Sequence, residues 1–120
     1  MDNAAMLGGR RLLVVEDDYL VAMDLADELT DHGAEVVGPA GSVKEALALV
    51  ATTPAIDAAV LDINLRDEKV YPVAEVLRTR GIPFVFTTGY DAWLVPEAYA
   101  GVRRLAKPVD IRALVQSIAG

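Results

Sequence analysis

The chain has 120 residues, 53% of them hydrophobic and 24% charged, which is the size and composition of one compact soluble domain and not of a disordered segment. Eleven Lys and Arg against eighteen Asp and Glu give a net charge of -7, which is repelled by phosphate backbones and anionic lipid, so neither nucleic-acid nor membrane binding is expected. There is no cysteine and one histidine, His32, which excludes disulfide frameworks, thiolate or multi-histidine metal sites and a cysteine nucleophile.

Residues 1–9 have an acid at Asp2, no basic start and no long apolar core, so they read as a short disordered lead-in, with the domain spanning 10–120. Residues 12–15 are a short continuous apolar run, the mark of a strand buried on both faces, and Glu16, Asp17 and Asp18 end it. Val21, Leu25 and Leu29, with Ala22 and Ala26 beside them, predict the inner stripe of a helix capped by Asp18. Asp24, Asp27, Glu28 and Asp31 take its other side, His32 meets the C-terminal dipole, and Gly33 stops it. Residues 34–37 predict a second strand. Ser42 and Glu45 form a capping box that opens a helix through Val50, ended by Thr52-Thr53-Pro54. Residues 58–61 predict a third buried strand, terminated by Asp62. A polar loop at 64–69 leads into a helix over 72–80, closed by Gly81. Residues 84–86 predict a fourth strand, ending in Thr87-Thr88-Gly89, followed by a weak helix at 91–100 interrupted by Pro96. Residues 102–106 predict a fifth strand ending at Lys107-Pro108, and Asp110 caps a last helix with Ile111, Leu114, Val115 and Ile118 inward.

Strands alternating with helices at this spacing predict an α/β fold: a five-stranded parallel sheet, doubly wound, with a reduced fourth helix. No run approaches the roughly 18–20 apolar residues of a membrane helix, and a cytoplasmic location is the expectation.

In an open parallel sheet, ligands bind at the carboxyl ends of the strands, where strand order reverses. Here those ends carry Glu16 and Asp17, Asp62, Thr87 and Thr88, and Lys107. Carboxylates packed together are costly unless a cation or a proton joins them. Without histidine or cysteine beside them they favour a hard cation, and Mg2+ fits best, because it takes one or two carboxylates, keeps several waters and binds substrate phosphate. A carboxylate can also attack phosphorus, with magnesium, an ammonium and a hydroxyl facing the transferring group. Taken singly, the acids suit a helix N-terminus, Asp62 suits a turn, and Lys107 suits a solvated surface. None of those readings explains why all of them stand at strand ends.

Over 10–120 the sequence resembles the response-regulator receiver domain, of the CheY-like type. The matching pieces are Val14-Val15-Glu16-Asp17-Asp18, Leu61-Asp62-Ile63-Asn64, Thr88-Gly89 and Lys107-Pro108, in the family's order and spacing. The resemblance implies Asp62 as phosphoacceptor, with Asp17 a direct magnesium ligand and Glu16 acting through water. It implies a backbone carbonyl from Asn64 at the metal, Thr88 as switch hydroxyl, Lys107 as phosphate partner and a cis Lys107–Pro108 bond. Leu65-Arg66 stands where the family generally has a proline, and Arg104 where it has a rotating aromatic. Residues 83–90 resemble instead the FAT GUY subgroup, with Thr87 in place of its alanine. Thr88 with Tyr90 is then expected to carry the switch, although the doublet Thr87-Thr88 leaves a one-residue ambiguity. Trp93, Leu94 and Val95 suit either core or a partner surface, and Arg103 and Arg104 a surface face or, less simply, a partner or dimer contact.

The implied function is a stand-alone receiver that takes phosphoryl from a histidine kinase or histidine phosphotransfer protein in two-component signalling. It switches a partner-binding surface as a monomer or phosphorylation-dependent dimer, and catalyses only its own phosphorylation and dephosphorylation. Two alternatives use the same residues. A pseudo-receiver would bind partners without phosphorylation. A magnesium-dependent phosphohydrolase would need a general acid two residues after the nucleophile, where this chain has Asn64. A flavin carrier of similar topology would want a phosphate loop where the first acids stand.

Overall fold

The computed structural model describes residues 7–89 and 95–119. Its elements are β1 (Arg11–Val15), α1 (Tyr19–Asp31), β2 (Glu35–Ala40), α2 (Val43–Thr52), β3 (Ala58–Asp62), β4 (Asn64–Leu65), β5 (Glu68–Lys69), α3 (Tyr71–Thr79), β6 (Phe84–Thr88), β7 (Arg104–Ala106) and α4 (Ile111–Ala119). Five strands form one parallel sheet in the order β2-β1-β3-β6-β7. The order reverses between β1 and β3, and the register brings Val15 opposite Leu61, Asp62 opposite Thr87 and Thr88 opposite Ala106. The carboxyl ends of the central strands are therefore level, and whatever follows them shares one edge.

Period-two alternation splits the core into two layers. Leu13, Val15, Ala59, Leu61 and Phe86 face one side, where Ala46 and Val50 of α2 and Val73, Ala74 and Leu77 of α3 cover them. Leu12, Val14, Ala58, Val60 and Val85 face the other, under Leu29 of α1 and Leu114 and Val115 of α4. The continuous apolar runs of the central strands, polar only at their ends, are what two covered faces require.

The caps follow the sequence. Asp18 accepts from the amides of Leu20 and Val21, Ser42 Oγ accepts from Glu45 N–H at 3.1 Å, and Asp110 accepts from Arg112 N–H at 2.9 Å. The His32 ring lies 2.8 Å from the Glu28 carbonyl at the end of α1.

Several expectations are corrected. The inner stripe of α1 is Ala22, Ala26 and Leu29, with Leu25 packed partly buried against the same layer, while Val21 is 39% exposed. Small alanines let the helix lie close to the sheet, which turns the bulkier Val21 outward. The expected loop at 64–69 is an antiparallel hairpin of β4 and β5, pairing Asn64 with Lys69 and Leu65 with Glu68. The second strand runs on to Ala40 through an irregularity opposite β1. There Gly38 has φ +97°, and a Cβ on it would meet Ala40 N at 2.8 Å. The fifth strand begins at Arg104, not at residue 102. Of the segment expected as a weak helix, the described part forms a single 3-10 turn, Glu97–Tyr99, after Pro96. Tyr90 and Trp93 lie outside the described residues.

Leu7, expected within the disordered lead-in, is fully buried in the α1–α4 layer, and its N–H donates to the His32 carbonyl at 2.8 Å. A leucine followed at once by two glycines, Gly8 and Gly9, has no periodicity to announce it.

Candidate functional site

Glu16 follows β1, and its backbone N–H donates to the Ala40 carbonyl at 2.9 Å, which fixes the chain as it leaves the sheet. Asp62 is the last residue of β3 and Lys107 follows β7. Lys107 Nζ lies 2.7 Å from Glu16 Oε1 and 2.8 Å from Asp62 Oδ2. Both acids are buried, at 4% and 3% exposure, so the ammonium bridges two carboxylates largely removed from water. Their remaining oxygens accept backbone amides: Glu16 Oε2 from Asp18 N–H at 3.1 Å, and Asp62 Oδ1 from Asn64 N–H at 3.3 Å. Half-buried Asp17 completes the group, and one carboxylate oxygen from each of Glu16, Asp17 and Asp62 lies within 4.8 Å of the others.

The electrostatics follow from burial and crowding. The Glu16 carboxyl is held above its ordinary value, first by burial and then by its contact with Asp62, against the lowering effect of Lys107. Asp17 is raised as well, by burial and by the Glu16 carboxyl beside it. Burial alone would lower Lys107, but its hydrogen bonds to Asp62 and Glu16 outweigh that, and the ammonium is held above its usual range. Three crowded carboxylates with one ammonium leave excess negative charge. An all-oxygen donor set of this kind fits Mg2+, with room for waters beside the protein ligands.

Thr88, at the end of β6, is 1% exposed, and its hydroxyl has no hydrogen-bond partner among the described residues. A buried hydroxyl without a partner costs about 1–3 kcal/mol. It is therefore a group waiting for an acceptor. Thr87 alternates to the opposite face of the strand, and its carbonyl accepts from Ile63 N–H at 3.1 Å. The Thr88 carbonyl accepts from Lys107 N–H at 2.9 Å, which ties the hydroxyl-bearing strand end to the lysine. The Lys107–Pro108 bond is cis, as the sequence suggested, and a second cis bond, Gly38–Pro39, was not foreseen.

The structure thus brings together Glu16, Asp17, Asp62 and Lys107, with Asn64 next to Asp62 and Thr88 on the adjoining strand end. Arg104 stands apart, exposed on β7. Sequence reasoning missed two features. Tyr19 and Leu20 are each 73% exposed at the start of α1, immediately after the acids. Taken for a helix start, they carried no signal of exposure. Beneath the position where a rotating aromatic was expected, a cluster of Tyr71, Phe84, Phe86 and Tyr99 fills the core. Tyr71 stacks on Tyr99 at 5.3 Å, Phe86 meets Tyr99 edge-on at 5.8 Å, and Tyr99 Oη donates to Glu75 at 3.0 Å. No spacing pattern announces it, because its members come from three elements.

Response regulator receiver domain is the family whose pattern matches residues 12–119, nearly the whole chain. The chain belongs to that family. The solution structure of SdrG from Sphingomonas melonis Fr1 is similar at 41% identity and a TM-score of 0.81, covering 92% of this chain and 94% of that one. The BeF3-activated conformation of SdrG from Pseudomonas melonis Fr1 is similar at 40% identity and a TM-score of 0.76, covering 91% and 92%. Among curated proteins, the transcriptional regulatory protein PdtaR of Mycobacterium tuberculosis is 34% identical over 91% of this chain and 55% of its own length. The phyllosphere-induced regulator PhyR of Methylorubrum extorquens is 30% identical over 81% of this chain and 38% of its own. The chain therefore spans about half or less of the curated relatives it matches. Receiver domains are phosphoacceptors of two-component systems and act only on their own phosphorylation state. The clustered acids and lysine described here are consistent with that. Family membership implies a cognate histidine kinase or phosphotransfer partner. No described helix is long and apolar enough to cross a membrane.

Proposed function

We propose that this domain accepts a phosphoryl group on Asp62 from a phosphohistidine donor, in a reaction that depends on Mg2+, and that Thr88 reports the change. The observation that carries the reading is the double contact of Lys107 with Glu16 and Asp62 inside a three-carboxylate cluster. An Asp62 oxygen attacks phosphorus, the P–N bond to the donor imidazole breaks, and the imidazole leaves with its electron pair and takes a proton from water. Glu16, Asp17 and Asp62, with the Asn64 carbonyl, would hold the ion, which when bound supplies positive charge against the oxygens of the transferring group. Lys107 already lies 2.8 Å from Asp62 and needs little movement to pair with a phosphoryl oxygen. The Thr88 hydroxyl gains its missing acceptor in the same step, so phosphorylation is coupled to a shift of the β6 end.

The donor approaches over the start of α1. Tyr19 and Leu20 are exposed there beside the acids, and an apolar surface next to the reacting carboxylate suits a protein donor better than a small phosphate ester. The FAT GUY subgroup is our reading of 83–90, supported by Arg104 in place of the rotating aromatic and by the 3-10 turn that the described part of the following segment forms. Tyr90, Trp93 and Arg104 belong to the proposed output surface. The core boundary is proposed at Leu7 instead of Arg10.

The test is intact-mass analysis after treatment with acetyl phosphate and Mg2+. We expect a gain of one labile phosphoryl, absent without metal and absent in Asp62→Ala. No gain with any phosphodonor, while partner binding persists, would favour the phosphorylation-independent pseudo-receiver. Sustained release from an added phosphomonoester would favour a hydrolase.

A further inference from the structure

The β4–β5 hairpin begins two residues after Asp62 and carries Asn64, whose carbonyl the metal reading uses. A ladder of two residues per strand is too short to hold its own position, so the hairpin needs tertiary anchors. At its base there are good ones. Leu65 and Val70 are buried, and Val70 N–H donates to the Ile63 carbonyl at 3.0 Å. Its outer part, from Arg66 to Lys69, is exposed. There Lys69 Nζ donates to Asn64 Oδ1 across the ladder. Glu68 Oε2 accepts the backbone N–H of Val43 at 2.9 Å, at the first turn of α2 and 25 residues away in sequence. Ser42 serves a different amide of that turn, Glu45 N–H, so the hairpin carboxylate fills a vacancy that the local capping box leaves. The positive end of α2 adds to the attraction.

The consequence lies in a cleft of about 340 Å³ beside the acidic cluster. Asp17 and Gly41 form one wall, and Arg66, Asp67 and Glu68 form the other. The width of this cleft is the separation between the acid-bearing end of β1 and the hairpin. The Glu68–Val43 bond ties the hairpin to the start of α2, next to Ser42, which also lines the cleft. Asn64 and Glu68 sit on adjacent rungs of the same ladder, so displacement of one moves the other.

We propose that Glu68 is a positioning residue. By latching the hairpin to the N-terminus of α2, it holds the Asn64 carbonyl facing Asp17 and Asp62, and thereby sets the affinity of the site for Mg2+. The proposal rests on the metal reading above. It also makes α2 sensitive to occupancy of the site, through a contact that neither Thr88 nor the β6 end provides.

The experiment is calorimetric titration of the whole chain with Mg2+ at pH 7.5, together with amide exchange of the metal-free protein. Glu68→Ala should weaken Mg2+ binding roughly three- to tenfold, the range for losing one charged hydrogen bond that is partly coupled to the site. Glu68→Gln keeps an acceptor oxygen and should stay within about twofold of wild type. Ala48→Gly, an exposed mid-helix change in α2, should lower the melting temperature by roughly 3–6 °C and leave the affinity alone. In the metal-free protein, Glu68→Ala should speed exchange of the Val70 amide at the base of the hairpin. Equal Mg2+ affinity in Glu68→Ala and wild type overturns the latch, as does equal weakening by Ala48→Gly or unchanged Val70 exchange. Wild type that takes up no Mg2+ overturns the metal reading itself, and the latch with it.

Discussion

Lys107 is the charge that balances the carboxylate cluster, and Lys107→Met removes it while keeping an apolar stem of similar length. The variant leaves Glu16 and Asp62 facing each other, with ligand oxygens of the cluster within 4.8 Å. At an effective dielectric of about 20, two unit charges at that separation repel by about 3 kcal/mol. Breaking a buried ion pair by removing one partner costs roughly 3–5 kcal/mol, and access of water to the half-buried side of the cluster trims that figure. We expect a loss of about 2–3 kcal/mol in chelator at pH 7.5, which for a domain of this size lowers the melting temperature by roughly 10 °C. The pH dependence gives the sharper result. Glu16 has a folded pKa above its unfolded value, so its favourable linkage is complete at low pH and is lost as pH rises through the folded value. Without the ammonium, Glu16 and Asp17 lose its lowering influence and rise further, so the variant's folded state gains protons earlier than wild type as pH falls. Protonation at low pH relieves the repulsion, and at pH 4.5 the gap to wild type should shrink below about 1 kcal/mol. Lys107 itself is raised, so its side of the ion pair is intact at both pH values and fails only in the alkaline range. Urea titrations at the two pH values measure the gap. A gap of equal size at both, or none at pH 7.5, would refute the convergence of these charges.

Other outcomes follow from the same geometry. Thr88→Val replaces a buried hydroxyl, unpartnered among the described residues, with a methyl group of the same shape and should stabilise the unphosphorylated domain by about 1 kcal/mol, while blunting the amide shifts induced by BeF3. Destabilisation with undiminished shifts would contradict its role. Leu7→Ala should cost about 2–4 kcal/mol, as for a buried leucine in a core. A change below about 0.5 kcal/mol in denaturant melts would show that the segment is idle. Mg2+ at ten times its dissociation constant should stabilise wild type by about 1.4 kcal/mol at pH 7.5 and by clearly less at pH 4.5, because protons compete for Glu16 and Asp17. Equal melting shifts at both pH values would argue against carboxylate ligands.

The sheet was legible because its signals are local. Four-residue apolar runs ending in acids, a hydroxyl or a lysine give both the strands and the edge where they end, and Asp18, Ser42 and Asp110 mark helix starts through bonds two or three residues away. Convergence of Glu16, Asp17, Asp62 and Lys107 was legible for the same reason, since a parallel sheet aligns its own strand ends. What escaped depends on distant partners. Val21 was assigned inward from spacing alone, yet the helix rotates about its alanines. The hairpin at 64–69 has too few residues to show alternation, and Glu68 caps a helix 25 residues earlier in the chain. The solitude of the Thr88 hydroxyl is a property of packing and not of the Thr87-Thr88 doublet.

Borohydride reduction of the freshly phosphorylated chain tests the central claim most directly, because an acyl phosphate on aspartate is reduced to homoserine. Peptide mapping should find homoserine at position 62 and nowhere else, with none formed when Mg2+ is withheld. Homoserine from Asp17 or Asp57, or a phosphoryl group that resists reduction, would contradict the account.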